Sequence, residues 1–306
     1  MLIDRFLQYM RYELNLSPLT VKSYGADLRQ FVDFLTDGRG EQAFEPVSVT
    51  TSDVRAWMLS ITTGRTGLQA SSVRRKLQAV RAYYRWLMRQ GMAGASPAAD
   101  VELAQLPKRL PTTVRQETID AAIDALPADD QDFEHVRDQL MLMMLYDTGM
   151  RRAELIGLQD AWVDTAKREL KVHGKRDKDR IIPFGPELGA HIDRYRRVRD
   201  AQVGREPGCD TFFVTAKGRQ LYPALVWRTV HRALQQAGGT GKLSPHVLRH
   251  SFASAMLNDG AEIESVRQLL GHTSLAATQV YTHITLSDLK HNYELAHPRA
   301  LIKKGG

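Results

Sequence analysis

Apolar residues recur at three- and four-residue intervals through most of the first hundred positions, which is the spacing of amphipathic helices. Ser17 and Pro18 supply an N-cap and a first-turn proline for one of these stripes. Runs rich in serine and threonine at 51–53 and 71–72 precede two more stripes of the same period. The pattern predicts an all-helical N-terminal domain, a four-helix bundle that spans residues 1–103.

The rest of the chain combines helical stripes with one short pair of strands. Residues 169–173 and 180–184 flank the polar run 174–179, and this arrangement predicts a β-hairpin. Helices are predicted on both sides of the hairpin, at 117–126, 133–147, 187–199, 224–237, 245–258, 262–270, 275–282 and 287–295. The pattern indicates a mixed α/β domain over residues 113–306.

A short basic segment separates the two halves. Lys108 and Arg109 lie there between two prolines, which disfavour a regular helix or a central strand. We therefore place a linker at 104–112. The predicted fold class is mainly α with a small β-sheet.

The balance of charged residues favours an anionic partner. Lysine and arginine number 42 against 35 aspartate and glutamate, so the formal charge is +7 and the isoelectric point is about 9.5. Such a balance favours a polyanionic partner, although many basic proteins bind no nucleic acid. The single cysteine, Cys209, excludes an intramolecular disulfide and a cysteine-based zinc site. With no apolar run of about 18 residues and no secretory leader, we expect a cytoplasmic protein without a membrane segment.

The segment 244–250 holds the densest candidate chemistry. Ser244 and a following proline begin a helix, and His246 and Arg249 lie three residues apart near its positive end. This arrangement fits a phosphate site, and it equally fits a capped helix whose polar face carries these two residues. His250 lies four residues after His246, a spacing that can hold a metal. No third ligand stands nearby, so we predict no metal and interpret His250 as a supporting residue.

Four further residues could act on a phosphate, and each also has an ordinary structural explanation. Arg151 precedes Glu154 by three residues, as in a common ion pair at a helix start. Lys175 lies in the charged hairpin turn, which is typical of a solvated loop. Tyr281 comes nine residues after His272, and a tyrosine among apolar neighbours commonly belongs to a core. Each signal is weak alone.

Several basic residues outside these segments could bind a DNA backbone. Three of them open the fourth predicted helix, where cationic groups and helix-start amides suit phosphate. The alternative for each is a solvated helix face or turn. The DNA-binding candidates are Arg74, Arg75, Lys76, Lys108, Arg109 and Arg176.

Taken in order, these segments resemble the active site of the tyrosine recombinases, enzymes that cut and rejoin DNA through a phosphotyrosine bond. The resemblance rests on 148–155 (Thr-Gly-Met-Arg-x-x-Glu-Leu), on 244–250 (Ser-Pro-His-Val-Leu-Arg-His), on Leu270-Gly271-His272 and on Tyr281. It runs from residue 2 almost to the C-terminus, and it is strongest to the Xer-type chromosome-resolving recombinases.

The resemblance implies a SAM-like core-binding bundle at the N-terminus and a tyrosine-recombinase catalytic domain after the linker. Glu154 and His250 become supporting residues. No metal, ATP or other cofactor is implied, because a phosphotyrosine preserves the energy of the broken bond. The residues to which the resemblance assigns catalytic roles are Arg151, Lys175, His246, Arg249, His272 and the nucleophile Tyr281.

The resemblance also implies a substrate and partners. The substrate is a double-stranded DNA recombination site, processed through a 3′-phosphotyrosyl link and a Holliday junction. The working form is a tetramer with itself or with a paralogous recombinase, in which a tail from about 289 to 306 docks on a neighbouring subunit. The role is the resolution of chromosome and plasmid dimers at cell division, with a DNA translocase of the division machinery as a further partner. Two alternatives stay open: an integrase of a mobile element, and a non-catalytic DNA-binding protein on the same fold.

Overall fold

The structure is a computed structural model that describes residues 1–63, 67–102, 113–125, 131–174, 179–271 and 286–299. Its contacts divide the chain into two compact units, Met1–Arg109 and Leu110–Gly306. Each unit has its own hydrophobic core, so each is described by itself. The predicted linker at 104–112 lies outside the described residues. Within those described ranges, no helix is both long and apolar enough to cross a membrane.

The first unit is a helical bundle, as predicted. Its described residues form α1 (Leu2–Gln8), α2 (Pro18–Leu35), α3 (Thr51–Thr63) and α4 (Ala70–Arg89). The first helix continues into a π-helical turn at Tyr9–Glu13. Aromatic side chains from all four helices pack in the core, which explains why the apolar stripes of the sequence are so rich in tyrosine, phenylalanine and tryptophan.

Two helix starts in this unit test the predicted caps. Ser17 caps α2 as predicted, because its hydroxyl accepts the backbone N–H of Thr20 at 3.2 Å. The cap of α3 lies one residue earlier than the predicted run 51–53. Thr50 and Asp53 accept each other's backbone N–H groups at 3.3 and 2.8 Å, which is a capping box.

The second unit places helices around a small antiparallel sheet. Its helices are α5 (Gln116–Ile123), α6 (Phe133–Asp147), α7 (Arg152–Ile156), α8 (Pro186–Gln202), α9 (Pro223–Gln236), α10 (Pro245–Asn258), α11 (Ile263–Leu270) and α12 (Leu286–Ala296). The sheet has the order β1 (Val163–Asp164), β2 (Glu169–His173), β3 (Asp179–Pro183). The predicted hairpin is confirmed, whereas β1 escaped prediction because two residues are too few for a period. The predicted helix 275–282 lies outside the described residues.

The central helix α6 directly precedes the first residues of the predicted active site. It is buried along almost its whole length and packs against α8 and α10. Gly149, just after it, has φ +59°, and a Cβ there would lie 2.4 Å from the ring of Phe252. Only glycine meets both demands, so the tight turn into Arg151 depends on this residue.

The C-terminal helix α12 packs on its own domain. Leu289, Tyr293 and Ala296 are buried in the core of the second unit, and Tyr293 stacks on His297 with ring centres 4.7 Å apart. Arg299 is buried too and pairs with acidic residues of the same unit. The predicted docking of residues 289–306 on a neighbouring subunit stays a prediction. Leu289 and Tyr293 are buried in their own unit, whereas Leu295 is 69% exposed. Residues 300–306 lie outside the described residues.

Candidate active site

Three of the six predicted site residues lie together on one open cleft of the second unit. Arg151 is the N-cap of α7, and His246 and Arg249 lie on α10. With Trp227, they line a cleft of about 490 Å³. Ser244 occupies the predicted N-cap of α10, but its hydroxyl makes no capping hydrogen bond. Tertiary packing thus brings the two predicted arginines to one cleft.

Three arginines, Arg151, Arg180 and Arg249, converge at the C-terminal end of α11. Carbonyls at a helix C-terminus lack intrahelical partners and carry partial negative charge. Each of the last three accepts a different guanidinium: Leu269 from Arg180 at 2.7 Å, Leu270 from Arg249 at 2.6 Å, and Gly271 from Arg151 at 3.1 Å. Carbonyl dipoles hold these cations without cancelling their charge. We call Arg151, Arg180 and Arg249, with Glu154, the arginine cluster.

Arg249 is the most deeply buried member of the arginine cluster. Its residue is 5% exposed, and it also donates to the carbonyl of Gly149 at 2.5 Å. Burial, together with the nearby charge of Arg151, lowers its pKa to about 10. The guanidinium nevertheless stays charged at neutral pH. A buried, rigid cation of this kind is preorganised for an anion.

Glu154 connects two of the arginines. Its side chain is 6% exposed and pairs with Arg151 at 2.8 Å and with Arg180 at 2.8 Å. It also accepts the backbone N–H of Arg151 at 2.7 Å, which closes a capping box. Burial alone would raise the pKa of this carboxyl, but the hydrogen bonds and charge of Arg180, with those of Arg151, hold it below its usual value. The supporting role predicted for Glu154 agrees with this geometry.

The two histidines of α10 form a pair. Their Nε2 atoms lie 3.2 Å apart, so one ring donates and the other accepts. Burial lowers the pKa of His246, and the positive charges of His250, Arg249 and Arg151 lower it further. A neutral imidazole at pH 7 can accept a proton. Among the residues that the structure describes, the pair belongs to no group of three potential metal ligands.

The other three predicted catalytic residues lie outside the described residues: Lys175, His272 and Tyr281. The same holds for the DNA-binding candidates Lys108, Arg109 and Arg176. The described neighbours of two of them are informative. Gly174 follows the last residue of β2 and directly precedes Lys175. The carbonyl of Gly271, directly before His272, binds Arg151.

In the first unit, two DNA-binding candidates pair with a buried carboxylate. Asp27 on α2 is buried and binds both Arg75 and Lys76 of α4, the lysine at 2.9 Å. These side chains thereby join two helices. Arg75 remains nearly half exposed, and Arg74 is exposed beside it. The sequence alone could not indicate this pairing, because Asp27 lies almost fifty residues away.

Two residues of the site escaped the sequence reasoning. Arg180 is the second residue of β3, and Trp227 is an exposed residue of α9 that stacks on His231 at 4.6 Å. A usable signal existed for Arg180, since it is a charged residue directly before the apolar pair Ile181 and Ile182. For Trp227 the only signal was an aromatic residue on the exposed side of a helix.

Comparisons with known proteins agree on one family. Residues 113–287 match the model described as "Phage integrase family", and residues 3–91 match "Phage integrase, N-terminal SAM-like domain". The tyrosine recombinase XerC of Chlorobaculum tepidum is 38% identical, over 97% of this chain and 94% of that protein. The tyrosine recombinase XerD of Pseudomonas aeruginosa is 36% identical, over 97% of both chains.

A solved structure shares the fold. The XerH site-specific recombinase, bound to its difH substrate in a pre-cleavage complex, superposes with a TM-score of 0.66. The alignment covers 96% of this chain and 83% of that one at 21% identity. The predicted fold, a SAM-like bundle and a mixed α/β catalytic domain, is thereby confirmed.

Proposed function

Because the chain belongs to the phage integrase family, as a tyrosine recombinase close to the Xer type, we propose that it resolves chromosome dimers by exchanging strands between two DNA sites. The observation that carries this proposal is the charge of the arginine cluster. Three arginines lie together with one carboxylate beside an open cleft, which leaves more positive than negative charge. A phosphodiester of DNA is the ligand that balances such a site.

The proposed cleavage begins with attack of the Tyr281 hydroxyl oxygen on the scissile phosphorus. The new bond forms as the bond from phosphorus to the 5′-oxygen breaks, which leaves a 3′-phosphotyrosyl link and a free 5′-hydroxyl. Arg151 and Arg249 neutralise the nonbridging oxygens, and His272 completes their shell. Preorganised charge at a developing oxyanion is usually the largest single contribution to catalysis.

Two proton transfers balance the step. A free tyrosine has a pKa of about 10, so its proton must leave during attack. We assign His246 as the acceptor, because its lowered pKa keeps it neutral at physiological pH. We assign Lys175 as the donor to the departing 5′-oxygen, in line with the family resemblance. Neither transfer requires ATP, because the phosphotyrosyl bond retains the energy of the phosphodiester.

Rejoining reverses these events with a 5′-hydroxyl from the second duplex. Each of two duplexes has two strands to be cut, so a complete exchange uses four tyrosines. We therefore propose a tetramer, built from this chain alone or with a paralogous recombinase, that passes through a Holliday junction. A translocase of the division machinery is proposed as the partner that brings the two sites together.

Tyr281→Phe tests the nucleophile. The variant should bind its site but give no covalent adduct on a nicked suicide substrate, since only the attacking hydroxyl is gone. Denaturing gels before and after protease treatment measure the adduct. Tyr293→Phe is the matched control, because this tyrosine is buried and should leave the adduct yield unchanged. An adduct from Tyr281→Phe would assign the chemistry to another residue.

Lys175→Ala tests the proton donor. A 5′-bridging phosphorothioate leaves as a thiolate and needs no proton, so this substrate should restore cleavage to nearly the wild-type rate. The comparison is between single-turnover rates on the oxygen and sulfur substrates. If the variant has a defect of equal size on both substrates, the proton donor is a histidine and not Lys175.

The cellular role is tested by sequencing the DNA that the protein captures covalently in its host. One chromosomal site outside any mobile element supports dimer resolution. Capture at the ends of a mobile element would make the protein an integrase. A protein that captures no DNA, although it binds DNA in a gel shift, would be the non-catalytic alternative.

A further inference from the structure

Arg180 makes three charge-assisted contacts and faces away from solvent. Its Nη1 and Nη2 atoms donate to the two carboxylate oxygens of Glu154 at 2.9 and 2.8 Å. Its Nε donates to the carbonyl of Leu269 at 2.7 Å. The side chain is 11% exposed, so these contacts are shielded from water. The pairing with Glu154 is bidentate, the geometry in which arginine holds a carboxylate most rigidly.

This pairing limits the geometry of the ion pair between Glu154 and Arg151. Arg151 reaches the carboxylate through one side-chain nitrogen, Nη1, while its Nη2 binds the carbonyl of Gly271. Because Arg180 already donates to both carboxylate oxygens, Arg151 does not form a bidentate pair with Glu154. Its side chain remains 39% exposed and lines the cleft. Arg180 thus satisfies most of the charge of Glu154 and leaves Arg151 available.

Arg180 also joins three parts of the site. Arg180 is the second residue of β3. Its side chain contacts both α7 and the end of α11. Gly271 lies against it: a Cβ at this position would stand 3.2 Å from Nη1 of Arg180, and φ is +63°. A side chain there would press on the guanidinium. The turn that leads to His272 is therefore packed directly on Arg180.

We propose that Arg180 is a positioning residue for strand cleavage, which holds Glu154 and the end of α11 so that Arg151 faces the scissile phosphate. The proposal rests on the proposed function, since it concerns the same site. Without Arg180, the buried carboxylate of Glu154 would have one guanidinium partner. Arg151 would then rotate into a bidentate pair with it and withdraw from the phosphate.

The test compares Arg180→Met and Arg180→Lys with the wild type in single-turnover cleavage of a nicked substrate. Arg180→Met should cleave about 10- to 100-fold more slowly, the usual effect of losing a partner that orients a contacting group. Affinity for the DNA site should change less than threefold or so, because it is spread over many phosphates. Arg180→Lys keeps the charge but not the bidentate geometry, and its rate should fall between the two.

Two further measurements separate positioning from folding. A methylphosphonate at the scissile position carries no charge for Arg151 to neutralise, so on this substrate the defect of Arg180→Met should shrink to within about threefold of wild type. Adding Glu154→Gln should raise the cleavage rate of Arg180→Met, because the uncompensated carboxylate is gone. The same change should lower the rate of the wild type. Thermal melts show which variants are folded at the assay temperature.

Arg199→Met is the matched control. The side chain of Arg199 is 2% exposed, against 11% for Arg180, and it binds Asp160, Asp200 and the carbonyl of Phe212. None of these residues belongs to the arginine cluster. The loss of Arg199 should lower the melting temperature and leave cleavage per folded molecule unchanged. If Arg180→Met does not fold, Arg180→Lys carries the same comparison of charged and neutral substrates.

Three outcomes would overturn the proposal. One is normal cleavage by Arg180→Met. A second is an equal defect on the charged and the neutral substrate. The third is a double variant with Glu154→Gln that cleaves no faster than Arg180→Met. Absence of any adduct from the wild type would instead reject the proposed function, and this proposal with it.

Discussion

Two groups of charged residues in the second unit, each with a buried arginine, use arginine in opposite ways. The arginine cluster has three arginines and one carboxylate, and the carbonyls of α11 supply its remaining acceptors. The second group, which we call the Arg299 clamp, has one arginine among four carboxylates. These are Asp120, Asp124, Asp147 and Glu187, each within 4.0 Å of the guanidinium.

The difference between the two groups lies in the partner of each arginine. A carbonyl is a dipole, so it holds a guanidinium and leaves the net charge in place. A carboxylate cancels that charge. The arginine cluster is therefore incomplete until an anion enters, whereas the Arg299 clamp already has an excess of acid. The first group is suited to bind phosphate, and the second fastens the segment after α12 to the domain.

Arg151→Ala should produce the largest effect on cleavage. Removing one preorganised charge at the transition state typically costs about 10²- to 10³-fold in rate. Binding of the site should fall far less, since many phosphates contribute. Single-turnover cleavage on a nicked substrate and gel-shift titration measure the two quantities. Normal cleavage combined with a tenfold or so loss of affinity would contradict the assignment.

Arg299→Met should produce the opposite result. Breaking a fully buried ion pair typically costs about 3–5 kcal/mol of stability. The loss here should be smaller, because Asp120, Asp124 and Glu187 are partly exposed and water can hydrate them. Urea denaturation measures this loss. Cleavage per folded molecule should stay normal, since no residue of the clamp lines the cleft. A strong cleavage defect in fully folded Arg299→Met would erase the distinction between the two groups.

Asp147→Asn should have the smallest effect on cleavage and should change the pH dependence of stability. Burial raises the pKa of Asp147 to about 8, although Arg299 lies 4.0 Å away. The folded state therefore keeps a proton that an unfolded aspartate releases above about pH 4. This contribution to stability is full below about pH 4 and is lost as the pH rises towards 8.

The asparagine variant lacks this titration and is nearly the same size. Its stability relative to wild type should therefore increase between about pH 5 and about pH 8. Unfolding free energies from urea denaturation at several pH values measure the difference. Parallel curves for the two proteins would mean that Asp147 does not titrate in this range.

Sequence by itself determined the local elements and the order of the chemical motifs. The bounds of α6 and α10 were predicted to the residue, and the hairpin strands to within one residue. Periodicity and caps depend on side chains within about four positions of each other, so they can be read from the chain. The motifs around Arg151 and Arg249 were readable for the same reason, since their flanking residues are contiguous.

Tertiary structure alone decided which of these residues share a partner. Arg180 meets Leu269 across 89 positions, and Arg151 meets Gly271 across 120. Arg75 and Lys76 pair with a buried aspartate, and Leu289 and Tyr293 of α12 pack in the core of their own unit. Such choices depend on which surfaces the packed core brings together and which charges it removes from water. No local pattern encodes that outcome, because the competing partners lie far apart along the chain.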